Sequence, residues 1–151
     1  MINNTYDKYG FALKSVNRLF LDEFYIPHIE IKYVADHKRK NINSYGYPDR
    51  HFSYLFKAEN SKETVQNLYG KIKNMDIIEC TKYLLEKYPN EAESIINGIP
   101  SYILINEDFF KYLTDYANEL QDNQENINYT INKKIKGLHK YINELDTGIV
   151  L

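Results

Sequence analysis

Only one cysteine, Cys80, stands in the chain, which excludes an intrachain disulfide and a cysteine-built zinc site. Tryptophan is absent, alanine occurs five times, and only three of the 19 Lys and Arg residues are Arg. Long apolar runs are missing as well. No window approaches the roughly 20 apolar residues that cross a bilayer, and the N-terminus has no apolar run of secretory length. The expectation is a soluble cytoplasmic protein in a reducing compartment, without membrane contact. A formal charge of −2 lacks the chain-wide basic signature of a nucleic-acid binder, so any such binding is local.

What is present argues for a folded chain. A hydrophobic content of 43%, with 15% aromatic residues, is too high for disorder, and 151 residues make one domain with a real core. Ile (18), Asn (17), Lys (16) and Tyr (15) together fill 66 positions. These residues share A/T-rich codons, which points to an A/T-rich genome, such as that of a low-GC bacterium, a phage or plasmid within one, or a virus. That bears on origin and not on chemistry.

Periodicity organises the chain. Tyr6, Tyr9, Leu13, Val16, Phe20 and Phe24 recur at intervals of three or four, which predicts an N-terminal helix over 6–24. Beyond Pro27 the pattern changes to period two. Ile29, Ile31 and Tyr33 alternate with Glu30 and Lys32, then Phe52, Tyr54 and Phe56 alternate with Ser53, Leu55 and Lys57. Together they predict one antiparallel β-hairpin over 28–58 with a long basic loop. Helix starts follow at Asn60 with Glu63, Asp76 with Glu79, and Asn90 with Glu93, each a capping side chain three residues before a carboxylate. Helices are predicted at 61–73, 77–88, 91–97, 106–121 and 127–145, the last with Ile127, Ile131, Ile135, Leu138, Ile142 and Leu145 as a heptad-like stripe. The fold class is α+β with a mainly helical C-terminal two-thirds.

Charge is divided along this frame. Six Lys and Arg face two Asp between Ile31 and Lys57, whereas three Lys face eleven Asp and Glu between Asp76 and Glu125. Such polarity steers charged partners to one end of a molecule.

The hairpin loop gathers the candidate binding residues His37, Lys38, Arg39, Lys40, Tyr45, Tyr47, Arg50 and His51. Lys and Arg there suit phosphate or an acidic surface, and the tyrosines suit stacking on bases. His37 and His51 could serve as base and acid in RNA cleavage. The charged run is equally an ordinary solvated loop. No short motif supports a metal site, a cofactor or a nucleophile, and Cys80 fits a buried structural thiol. Lys133, Lys134, Lys136 and Lys140 offer a second basic strip, while the tyrosines at 6, 9, 25, 33, 45, 47 and 54 serve a core or an interface.

The expectation is a small non-catalytic interaction protein, encoded by a phage, plasmid or virus with an A/T-rich genome, that binds and modulates a host macromolecule, with inhibition the expected direction. Its partner is expected to be a protein, with self-association through 127–145 as a further possibility. The alternative is an RNA- or DNA-binding protein or small ribonuclease that uses the 37–51 loop.

Overall fold

The computed structural model describes residues 6–21, 23–36, 51–58, 61–120, 125–134 and 136. Three strands, β1 (Phe11–Phe20), β2 (Pro27–Ala35) and β3 (His51–Lys57), form an antiparallel sheet in the order β1-β2-β3. Helices α1 (Ser61–Ile72), α2 (Ile77–Lys87), α3 (Ala92–Asn97) and α4 (Glu107–Glu119) follow, with 3-10 turns at Pro89–Glu91 and Ser101–Ile105. Residues 125–134 are helical. The architecture is α+β with a mainly helical C-terminal part.

The helix expected over 6–24 is a strand, and a β-bulge explains why its spacing looked helical. Pairing with β2 runs Phe11 opposite Ala35 and Leu13 opposite Tyr33, then shifts so that Ser15 meets Lys32 and Val16 meets Ile31. Lys14 is the extra residue. It resets which side chains face the core, so that Leu13 and Val16, three residues apart, share one face. A strand with one inserted residue therefore copies the three-and-four rhythm of a helix. Gly10, at φ 85°, makes the turn into β1, and Asp7 Oδ1 accepts from the backbone N–H groups of Tyr9 (2.8 Å) and Phe11 (3.0 Å).

The β2–β3 pairing, His28 opposite Lys57 through to Val34 opposite His51, is the antiparallel hairpin the alternation predicted. Ile29, Ile31, Tyr33, Tyr54 and Phe56 are buried on the face that meets Leu68, Ile72, Leu84, Ile95 and Phe109 of the helices in one hydrophobic cluster. Full burial of each such side chain contributes about 1.5–3 kcal/mol, which fixes the register, because a slip of one residue would turn the whole set to solvent. Gly98 lets α3 approach β3 closely. A Cβ there would lie 2.9 Å from Tyr54 Cδ1 and 3.0 Å from the Ser53 carbonyl oxygen.

Local capping sets the helix starts where the chain supplies it. Asp76 and Glu79 form a capping box, with Glu79 N–H donating to Asp76 Oδ1 at 2.8 Å and Asp76 N–H donating to Glu79 Oε1 at 3.2 Å. Asp7 Oδ2 accepts from Ile77 N–H at 2.9 Å, tying the segment before β1 to the start of α2. Asn106 caps α4 through Phe109 N–H at 2.9 Å. The start expected at Asn90 is displaced: Pro89 opens a 3-10 turn, Asn90 lies inside it, and α3 begins at Ala92. Asn60 lies outside the described residues. Replacing Asp76 or Asn106 by Ala is expected to cost about 0.5–2 kcal/mol each, read as a lowered urea midpoint at unchanged slope. An unchanged midpoint would show that neighbouring groups already hold those N–H groups.

Candidate functional site

The loop that concentrates charge in the sequence leaves the sheet at one end, between β2 and β3. There Asp36 N–H donates to the Gly10 carbonyl at 2.7 Å, which ties the loop's root to the turn before β1. His37, Lys38, Arg39, Lys40, Tyr45, Tyr47 and Arg50 lie outside the described residues, and for His51 only the backbone is placed, opposite Val34.

A shallow cleft of about 860 Å³ opens at the same end, lined among others by Tyr6, Asp7, Lys14, Tyr33, Tyr69 and Lys73. Its carboxylates have structural duties. Asp7 holds three backbone N–H groups, Asp76 and Glu79 hold the start of α2, and Lys8 Nζ lies 3.9 Å from Asp76. Among the described residues no group of three His, Cys, Asp or Glu is placed to hold a metal ion. His28 sits at the opposite end of β2, its Nδ1 3.2 Å from the Ile26 carbonyl oxygen.

The polar groups beneath α2 are internal. Tyr54 Oη lies 2.5 Å from Thr81 Oγ1, which donates to the Ile77 carbonyl at 2.6 Å, so the tyrosine hydroxyl is the donor of that pair. Tyr33 Oη is buried without a hydrogen-bond partner of ordinary geometry and faces the Cys80 thiol, a soft and weak partner. Burial pushes the Cys80 thiol up to about 12, against 9.0 for an ordinary cysteine in the same scale. A thiol so held is protonated near neutral pH and is no nucleophile. Lys134 is also internal: its ammonium donates to the Ile99 carbonyl, whereas Lys133 and Lys136 are exposed. The basic strip expected at 133–140 is therefore broken at its second member, and Lys140 lies outside the described residues.

An exposed apolar cluster that sequence periodicity concealed occupies the other end of the sheet. Phe20, Leu21, Phe24 and Tyr25, at 48%, 50%, 76% and 72% exposure, crowd into six residues at the β1–β2 turn. Phe20 and Tyr25 pack edge to face at 5.9 Å, and the Arg18 guanidinium lies 5.3 Å above the Phe20 ring. Arg18 and Phe20 pair with Ile29 and Pro27, so they continue the core-facing side of β1 past Val16, the last buried residue of that strand. The sheet outruns its cover of helices here. Tyr25 adopts φ 54°, a left-handed conformation that costs a non-glycine residue on the order of 1–3 kcal/mol. The signal lay in the sequence as Phe20-Leu21-Asp22-Glu23-Phe24-Tyr25 before Pro27, two apolar pairs around an acidic pair, but a helical reading assigns Phe20 and Phe24 to a core.

Comparison of the chain with protein-family models, curated proteins and solved structures finds no match.

Proposed function

We propose that this chain is a small non-catalytic interaction protein that binds and inhibits a host macromolecule, and that its contact surface is the β1–β2 tip. One observation carries the reading: four large apolar side chains stand exposed within six residues, in a turn that holds Tyr25 in a left-handed conformation. Contiguous exposed apolar surface is costly in water and marks binding sites, and aromatic side chains with Arg are the residue types that dominate interface energies. Exposed Glu23 beside the rings adds a negative charge, so the fitting partner is a protein with an apolar pocket and a basic rim. The abundance of Ile, Asn, Lys and Tyr, residues with A/T-rich codons, supports a phage, plasmid or viral origin, and hence a partner in the host cell.

RNA or DNA binding and ribonuclease action through 37–51 rest on residues outside the described ones, and the burial of Lys134 removes a cation from the strip that would extend that surface. The tip reading is tested by replacing Phe24 and Tyr25 together by Asp. Both are exposed, so the unfolding free energy should change by no more than about 0.5 kcal/mol. Partner binding in host lysate should weaken by roughly 100-fold or more, as expected when two aromatic anchors are lost. A double variant that retains the parent's partner at the parent's affinity would assign the contact elsewhere, with the cleft end of the sheet next in line.

A further inference from the structure

We draw no further inference here: the strongest candidate, the cleft between the turn before β1 and the start of α2, carries nothing, because among its described lining residues Lys8, Lys14 and Lys73 are matched by Asp7, Asp76 and Glu79 and so select neither an anion nor a cation, and those carboxylates already hold backbone N–H groups of the fold.

Discussion

Stability is expected to fall steadily as pH rises from 9 toward 12, with Cys80, Tyr33 and Tyr54 as the cause. All three are acids buried in the seam between α2 and the sheet, and burial disfavours their charged forms. Cys80 ionises near 9.0 in an exposed chain and near 12 when folded. Between those values the unfolded chain has released a proton that the folded chain retains, so raising the pH draws the equilibrium toward unfolding. The contribution is fully present below 9 and is lost as pH climbs toward the folded value. About 1.4 kcal/mol per pH unit over this window makes Cys80 alone worth up to about 4 kcal/mol. Burial also raises Tyr33 and Tyr54 well above the ordinary tyrosine value of 10.0. Their contributions add to the same alkaline limb. Urea midpoints measured from neutral pH upward should drop along it, and Cys80→Ala should flatten the drop near its start. A midpoint constant through this range would mean that water reaches the seam.

Ile127→Ala is expected to destabilise the fold by about 2–5 kcal/mol, a large share of the 5–15 kcal/mol that holds a typical domain. Ile127 is fully buried and Ile131 nearly so, both within the cluster that includes Phe109 and Leu113. The Ile stripe of the last helix therefore packs inside the chain over its described part, while Ile135 and residues 137–145 lie outside the described residues. Chemical denaturation gives the stability and sedimentation gives the mass, so the two fates of this stripe separate cleanly. Core packing requires a lower midpoint at unchanged association. A variant of parental stability would show that Ile127 carries no weight in the core.

Elements whose signals are local could be read directly from the chain. Asp76 with Glu79 and Asn106 mark the starts of α2 and α4 because a capping side chain satisfies N–H groups three residues away, whatever the rest of the molecule does. The alternation of Ile29, Ile31 and Tyr33 against Phe52, Tyr54 and Phe56 likewise determined the β2–β3 hairpin, since one buried face demands period two. The charge and aromatic content of 37–51 could be read in the same way, but as composition without geometry.

What tertiary structure alone decided are the properties that depend on distant neighbours. The Lys14 bulge turned a helical rhythm into strand β1, because pairing with β2 supplies hydrogen bonds that one inserted residue does not abolish. Lys134 points inward because a carbonyl at Ile99, 35 residues away, accepts its protons. Phe20 carries the same apolar signal as Val16, yet Val16 is buried and Phe20 exposed, because the helical layer ends between them. Hydrophobicity is a property of a residue and can be read in sequence; its burial depends on which other elements reach it, and only the assembled fold contains that.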